Sequence, residues 1–186
     1  QIIKDLKKKN KNSKYHCIIG ISGGLDSSYV AYRLKQEGLN PLAIHFDNGW
    51  NSELAIKNIE IVLKELNIDL ITEVVDWEEF REIQLAFIKS SISNLEIPTD
   101  HAILATLLKY ASKYNLPIIH GGNLSTESIM PSEWMHDNKD FILIKKICKN
   151  YKAKIKTYPI LSFYKIFYYF FVKKIKYIGI LNYIDY

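Results

Sequence analysis

Short apolar runs alternate along this chain with longer segments in which apolar residues recur every three or four positions. The short runs predict β-strands at residues 15–21, 41–46, 70–75 and 116–120, the first of them buried. The longer segments predict amphipathic helices at residues 27–37, 52–66, 77–92 and 98–114. This alternation is typical of an α/β fold with a doubly wound parallel sheet and helices on both faces.

The character of the sequence changes twice along the chain, which predicts three parts. Residues 1–14 form a polar lead-in, residues 15–130 carry the strand–helix alternation, and residues 131–186 form a helical, aromatic-rich extension. We expect the extension to pack on the core or on further chain, with a membrane-surface helix as the alternative. Because the chain starts at Gln1 rather than Met, we expect a fragment of a longer protein.

Composition narrows the class of protein. A hydrophobic fraction of 48% supports a buried core, and the formal charge of +5 comes mostly from scattered lysines, so we expect a solvated surface and no nucleic-acid partner. No apolar run is long enough to span a bilayer, and no signal peptide is visible. Cys17 and Cys148 form no metal or disulfide pattern, so we expect buried thiols and a cytoplasmic location.

The first predicted strand leads into a glycine-rich turn that opens the first predicted helix. Glycines allow a tight turn that aims several N–H groups at one point, and a helix N-terminus adds partial positive charge. Three hydroxyls supply further donors. The sequence therefore predicts a phosphate cradle made of Ser22, Gly23, Gly24, Leu25, Asp26, Ser27 and Ser28. It has neither the Walker pattern nor the dinucleotide-binding pattern.

This turn resembles the pyrophosphate (PP) loop of the ATP pyrophosphatase families, which include GMP synthetase, asparagine synthetase, NAD synthetase and tRNA thiolation enzymes. The resemblance implies the HUP (adenine nucleotide alpha hydrolase-like) fold and cleavage of ATP between its α- and β-phosphates, with ATP and Mg²⁺ as cofactors. Asp26 and Ser27 would then be catalytic. Asp26 could place Mg²⁺ or a water, or it could cap the helix, and both roles can hold together.

Several further strings resemble one family of this group, the N-acetyl sugar amidotransferases of lipopolysaccharide and flagellin-sugar biosynthesis. The strings are HFDNGWNS (45–52), DWEEFR (76–81), QLAF (84–87), IPTDHA (97–102), GGNLSTE (121–127), PSEW (131–134) and the stretch 137–146. Family members are usually longer at both ends, with cysteine-rich segments before the loop.

The resemblance implies a defined reaction and defined partners. The acceptor would be the acetamido group of a nucleotide-linked N-acetyl sugar, which ATP adenylates and ammonia converts to an acetamidino group. Ammonia would come from a glutaminase of the histidine-biosynthesis type (HisH-like) through a cyclase-like barrel protein (HisF-like). An amide oxygen is a poor leaving group, and adenylation makes it a better one.

The matching positions supply the remaining candidate residues. Asp47 and Asn48 follow the second strand, where the superfamily holds adenosine, although this pair also suits an ordinary turn. The other candidates are Thr99 and Asp100, which could contact substrate or nucleotide or could cap a helix, Asn123 and Ser125 with the same possible contacts, and Glu127 as a Mg²⁺ ligand.

Other polar and aromatic residues are assigned structural roles. We expect His45, His101 and His120 to be hydrogen-bonded structural histidines. Trp50, Trp77 and Trp134 could stack on adenine or sugar, but we expect them in the core. Lys139, Lys145 and Lys146 could reach phosphates, but we expect them on a solvated face.

Two alternative functions stay open. One is a tRNA-modifying PP-loop ATPase, for which a sulfur-transfer version would need reactive cysteines in the crevice. The other is a non-catalytic nucleotide-binding module of the same architecture.

Overall fold

The chain folds around a five-stranded parallel sheet in a computed structural model that describes residues 2–9, 13–121 and 140–183. The strands are β1 (Cys17–Gly20), β2 (Pro41–Asp47), β3 (Leu70–Val74), β4 (Ile118–His120) and β5 (Tyr177–Gly179). Their order is β3-β2-β1-β4-β5, and every neighbouring pair runs parallel. The predicted doubly wound parallel sheet is confirmed. The fifth strand was not predicted.

Helices connect the strands and extend the fold beyond them. The α-helices are α1 (Ile2–Lys9), α2 (Leu25–Gln36), α3 (Glu53–Glu65), α4 (Trp77–Lys89), α5 (Ile97–Tyr114), α6 (Phe141–Asn150) and α7 (Phe163–Phe167). A π-helical stretch, Tyr168–Val172, continues α7, and a 3₁₀ helix, Ile180–Tyr183, follows β5. The four helices predicted for residues 27–114 correspond to α2, α3, α4 and α5.

Local sequence signals set the limits of these helices. The Ser52 hydroxyl accepts a hydrogen bond from the Ala55 N–H and so caps α3, while Asp76 caps α4 by accepting from the Glu79 N–H. Asn115 ends α5 in the left-handed conformation, with φ of 55°. These caps hold the helices at the strand exits from which the candidate site is built.

The two faces of the sheet are buried under different helices. Ile19 and Ala43 face a cluster that contains Val30 and Leu34 of α2 and Leu63 of α3. On the other face, Ile18, Leu42 and Ile118 pack against Leu104 and Leu108 of α5. A third cluster forms beyond the end of β2, where Phe46 packs with Phe80 of α4 and Ile144 of α6. Both faces are therefore covered over β1, β2 and β4, which explains their apolar runs, whereas β3 at the edge of the sheet has no buried residue.

The carboxyl-terminal part is less helical than predicted. In the extension predicted to be helical, α6 ends at Asn150, and Lys152 follows in a left-handed conformation with φ of 60°. Further on, β5 pairs with β4, and Leu181 is fully buried in the cluster under α2 and α3. This part of the chain thus completes the sheet rather than lying outside it.

Among residues 2–9, 13–121 and 140–183, no helix combines the length and the apolar character needed to cross a bilayer.

Candidate active site

A crevice of about 700 Å³ opens at the carboxyl ends of β1, β2 and β4, and Tyr177, the first residue of β5, lines its side. The chain passes from β1 outward through β2 and β3 and then returns to place β4 on the other side of β1, so the crevice lies at the switch point of the sheet. Open parallel sheets bind ligands at this position. The polar residues that line it are Ser22, His45, Asn48, Asn51, Thr99, Asp100, Thr106, His120 and Tyr177.

The turn after β1 is held in place by close packing of Gly23 on α3. Gly23 has a φ of +77°, and a Cβ atom built there would lie 2.3 Å from the Ala55 carbonyl oxygen. The Asn58 side chain also donates a hydrogen bond of 3.2 Å to the Gly23 carbonyl oxygen. Only glycine satisfies both the positive φ and the contact with backbone, so this position fixes the shape of the loop.

Serine hydroxyls tie the loop to the first turn of α2. The Ser22 N–H donates to the Ser27 Oγ at 3.3 Å, and the two hydroxyl oxygens lie 3.2 Å apart. Ser27 and Ser28 both donate to the Gly24 carbonyl oxygen, at 3.2 and 2.8 Å. These hydrogen bonds fix the turn at the N-terminus of a 12-residue helix. The N-terminus of a helix favours binding of an anion.

The predicted helix-capping role of Asp26 is wrong, because Gly24 is the N-cap of α2 and Asp26 lies in the first turn. Asp26 instead lies beside the exit of β4, where a Cβ atom on Gly121 would come within 3.4 Å of its backbone and Cβ. Leu25 is 80% exposed, so its side chain does not pack in the core. The backbone of Asp26 therefore packs beside the exit of β4, and its side chain is exposed.

Asp47 and Asn48 take different positions at the exit of β2. Asp47 Oδ1 accepts hydrogen bonds from the Gly49 N–H and from the Asn51 side chain, which closes the turn. Asn48 is buried and lines the crevice, and its Oδ1 accepts from the Trp50 N–H. Of the two residues predicted to hold adenosine, only Asn48 lines the crevice, while Asp47 shapes the loop.

The first turns of α5 form one wall of the crevice. Thr99 and Asp100 both line it. Neither caps the helix, since Glu96 is the residue before its first turn, so the predicted capping role is wrong for both.

Farther along α5, Thr106 is 1% exposed, and its hydroxyl has no hydrogen-bond partner among the described residues. A buried hydroxyl without a partner is costly, and this one lies in the crevice lining.

Two histidines predicted to be structural line the crevice. His45 Nδ1 lies 3.0 Å from the Ile21 carbonyl oxygen, and because a carbonyl only accepts, Nδ1 is the donor, which makes Nε2 the acceptor of the neutral ring. His120 stacks on Tyr177 with ring centroids 4.2 Å apart, and burial lowers the pKa of His120. By contrast, His101 Nε2 accepts from the Leu161 N–H, a structural role as predicted.

The contribution of β5 to the crevice could not be read from the sequence. Tyr177 comes from the aromatic-rich extension. The chain contains thirteen tyrosines, and nothing in the sequence distinguishes this one from the others. Asn51 and His45 could have been found, because they belong to the same HFDNGWNS string as Asn48. A place in the string that follows a predicted strand was therefore the sequence signal that could have identified these two crevice residues.

The exposure of two tryptophans contradicts the prediction that they lie in the core. Trp50 is 62% exposed and Trp77 is 42% exposed, and their rings meet edge-to-face with centroids 5.2 Å apart. They sit at the exits of β2 and β3, and Gly49 is needed between them because a Cβ atom there would lie 2.6 Å from the Trp77 ring.

The remaining predicted residues, Asn123, Ser125 and Glu127, lie outside the described residues, as do Trp134 and Lys139. The described residues contain no group of three or more His, Cys, Asp or Glu side chains that could hold a metal. Mg²⁺ at nucleotide sites needs only one or two carboxylates, because phosphate oxygens complete its shell. Asp26, an exposed carboxylate in the loop after β1, has the chemistry that this requires.

The turn after β1 has the sequence Ser-Gly-Gly-x-Asp-Ser and lies at the switch point of a parallel sheet with this strand order. Together these features define a protein of the PP-loop ATP pyrophosphatase superfamily. Within that class, residues 16–127 match the model of the family described as queuosine biosynthesis protein QueC, and the chain belongs to this family. The matched range includes β1 to β4 and the whole phosphate loop.

Two relatives match shorter parts of the chain. An uncharacterized protein of Methanocaldococcus jannaschii is 37% identical over 83 residues, which are 44% of this chain and 29% of the relative. The tRNA-specific 2-thiouridylase MnmA of Mycoplasmopsis synoviae is 34% identical over 73 residues, which are 39% of this chain and 18% of the relative. The matched segments thus span less than a third of either relative.

Solved structures share the fold at low sequence identity. The NH3-dependent NAD synthetase of Campylobacter jejuni superposes with a TM-score of 0.51 at 20% identity, over 82% of this chain and 71% of that one. A predicted subunit of tRNA methyltransferase from Methanocaldococcus jannaschii gives a TM-score of 0.52 at 20% identity, over 91% and 69%. These similarities establish the architecture.

Proposed function

We propose that the chain is an ATP-dependent amidotransferase that converts the acetamido group of a nucleotide-linked N-acetyl sugar into an acetamidino group. One observation carries the proposal: three of the seven strings that resemble the sugar amidotransferases supply residues to the crevice beside the phosphate loop. Residues 45–52 contribute Asn48 and Asn51 to the crevice, residues 97–102 contribute Thr99 and Asp100, and Gly121 begins the string 121–127. These three strings thus link the resemblance to the site.

The first half of the reaction uses the phosphate loop. The acetamido oxygen attacks the α-phosphorus of ATP, the bond to the β-phosphate bridging oxygen breaks, and pyrophosphate leaves with its electron pair. Charge on the leaving group grows as this bond breaks. Fixed N–H groups of the turn 22–28 and the N-terminus of α2 stabilise that charge without reorganising. Mg²⁺, when bound, neutralises phosphate oxygens, and Asp26 is the described residue that would help to hold it.

The second half replaces oxygen by nitrogen. Ammonia attacks the imidate carbon of the adenylated intermediate, the carbon–oxygen bond breaks, and AMP leaves with the oxygen. The attacking nitrogen must then lose a proton. His45 Nε2 is an acceptor that lines the crevice, so we assign it as the group that can receive this proton.

Neither cysteine of this sequence suits the release of ammonia from glutamine. A glutaminase needs an activated nucleophile, and burial raises the pKa of Cys17 to about 12 and that of Cys148 to about 11. These are the two cysteines of the 186-residue sequence. The resemblance to the sugar amidotransferases supplies the proposed source, which is a HisH-like glutaminase with a HisF-like channel protein.

A tRNA-modifying enzyme is the second candidate. The family match and the similarity to a tRNA-specific 2-thiouridylase favour it. The sulfur-transfer version is disfavoured, because both thiols are buried and have raised pKa values, so the thiolate needed for transfer is scarce.

The distinguishing experiment measures AMP and pyrophosphate release from ATP by a full-length protein supplied with ammonium and a UDP-linked acetamido sugar. The proposal expects release that requires the sugar, and a product in which one oxygen has been replaced by NH. Turnover of ATP that ignores every acetamido sugar but responds to tRNA would establish the second candidate instead. Binding of ATP without any cleavage would point to a non-catalytic module.

A further inference from the structure

A second cavity, of about 800 Å³, lies beside the crevice and is lined by lysines; we call it the basic cavity. Its lysines are Lys109, Lys145, Lys149, Lys156 and Lys165. They come from α5, α6, the segment after α6 and α7, so residues far apart in sequence converge on one concave surface. Lys145 is exposed, as expected from the sequence, and only the structure shows that it converges with the other four lysines.

We propose that the basic cavity is a ligand site separate from the ATP crevice, and that it binds the diphosphate of the nucleotide-linked sugar. The identity of this ligand rests on the proposed function. The existence of an anion site does not, because it follows from the charges and the shape of the cavity.

The charge of the cavity is strongly one-sided. Glu73 is the acidic residue in its lining, and it is already engaged: its two carboxylate oxygens lie 2.6 Å from Lys109 Nζ and 2.6 Å from the Tyr110 hydroxyl. Lys149 and Lys156 form no ion pair among the described residues. Like charges that converge without a partner repel one another, and a bound anion removes that cost.

The sequence that forms most of the cavity has the same excess of positive charge. Residues 141–183 contain ten lysines and no acidic residue, whereas the complete chain has 20 acidic residues against 25 basic ones. The basic character of the protein is therefore concentrated in the part that builds this cavity. Such segregation favours a negatively charged ligand over a uniformly solvated surface.

The shape of the cavity favours a small phosphate compound. Its volume lies in the range of small-molecule sites, and Tyr158, Ile155 and Phe46 supply apolar surface beside the lysines. A nucleoside diphosphate combines these features, with charged oxygens next to flat apolar rings. A polynucleotide would instead call for an extended groove with basic residues along it.

The position of the cavity suits the second substrate of an adenylating enzyme. Phe46 lines both the basic cavity and the crevice, so the two are neighbours on either side of the end of β2. The segment between α6 and α7 also connects them, because the Tyr158 hydroxyl donates to the Pro98 carbonyl oxygen at the start of α5. A sugar held by its diphosphate in the basic cavity can extend past Phe46 toward the ATP phosphates.

The test is calorimetric titration of UDP into the full chain, with and without a saturating ATP analogue that cannot be cleaved between its α- and β-phosphates. The proposal expects UDP to bind in both conditions with similar affinity. The double variant Lys145→Gln/Lys149→Gln should weaken UDP binding about tenfold and leave binding of the ATP analogue unchanged, because two charged donors are lost at one site only.

A matched control separates a site from a general charge effect. Lys146→Gln/Lys154→Gln removes the same charge from exposed lysines that do not line the cavity, and it should change UDP affinity less than about twofold. Equal weakening by the two double variants, exclusion of UDP by the ATP analogue, or no binding of UDP would each overturn the proposal. Tight binding of a single-stranded RNA that both double variants weaken equally would also overturn it.

The outcomes also distinguish this inference from the proposed function. If UDP binds in the cavity but no acetamido sugar is converted, the site stands and the amidotransferase function fails. If conversion proceeds with an unchanged KM for the sugar in Lys145→Gln/Lys149→Gln, the function stands and the site fails.

Discussion

The Glu79 carboxylate accepts a hydrogen bond of 2.6 Å from the hydroxyl of Thr157, a residue 78 positions later in the chain. The same carboxylate accepts from the backbone N–H groups of Lys156, Thr157 and Tyr158. One side chain of α4 thus fastens the segment between α6 and α7. That segment in turn reaches the start of α5 through the Leu161 N–H and His101 Nε2, 2.8 Å apart.

Removing the charge of Glu79 should therefore loosen the segment that joins the basic cavity to the crevice. Glu79→Gln replaces an acceptor-only carboxylate by an amide whose N–H group would face several N–H donors. We expect a loss of about 2–3 kcal/mol in the free energy of unfolding, measured by urea denaturation. Glu78→Gln is the matched control, because Glu78 is exposed in the same turn, and it should cost less than about 0.5 kcal/mol. Equal losses would show that the hydrogen-bond network at Glu79 contributes little.

The contribution of Glu79 should also depend on pH. Burial raises its pKa, but hydrogen bonds from Thr157 and from three backbone N–H groups outweigh burial, so the net pKa lies below the usual value. A lowered pKa in the folded state adds stability that is present above the unfolded value of about 4.3 and is lost as the pH falls through the folded value. The stability gap between the wild type and Glu79→Gln should shrink as the pH falls below about 4, in denaturation series across pH. A constant gap would contradict this assignment.

Gly23 and Gly38 form a matched pair for testing the phosphate loop. Both have positive φ, of 77° and 69°, but a Cβ atom on Gly23 meets the Ala55 backbone, whereas one on Gly38 meets only the flexible end of Lys7. Gly38→Ala should cost about 1 kcal/mol of stability and leave ATP binding intact. Gly23→Ala should distort the turn and weaken ATP binding by about tenfold or more, measured by titration with an ATP analogue. Unchanged affinity in Gly23→Ala would remove the loop from the ATP site.

Removing the Thr106 hydroxyl should raise the stability of the protein and lower its affinity for the ATP analogue. Thr106→Val removes a buried hydroxyl that has no hydrogen-bond partner among the described residues and keeps the shape of the side chain. The free protein should gain about 1 kcal/mol in stability, or about 2–4 °C in Tm. Affinity for the ATP analogue should fall if the ligand uses this hydroxyl, and Thr106→Ser should retain it. A destabilised Thr106→Val would show that the hydroxyl already has a partner in the free protein.

The sheet and the phosphate loop could be predicted because local patterns determine them. Apolar runs such as Pro41–Asp47 are buried on both sides, and the glycine turn after β1 needs only its own residues and the neighbouring helix. Asn48, Thr99 and Asp100 could be placed near the loop because parallel strands and their following helices present their exits at one edge of the sheet.

The fifth strand, the role of Glu79 and the positions of the tryptophans could not be predicted, because they depend on contacts between distant segments. β5 is three residues long and pairs with β4 some 59 residues earlier, so Tyr177–Gly179 carries no strand signal of its own. Glu79 stood within a string of charged and aromatic residues, and only its partners at residues 156–158 reveal its role. Trp50 and Trp77 were assigned to the core on the average behaviour of tryptophan, whereas they contact each other at the surface.

The central claim is that the crevice adenylates an acetamido group. The most direct measurement uses an acceptor sugar labelled with ¹⁸O at the acetamido oxygen, together with ATP and ammonium, and follows the label by mass spectrometry. The account predicts that the ¹⁸O appears in the phosphate of AMP and that the sugar becomes an acetamidino derivative. Formation of AMP without ¹⁸O, or an unaltered sugar, would contradict it.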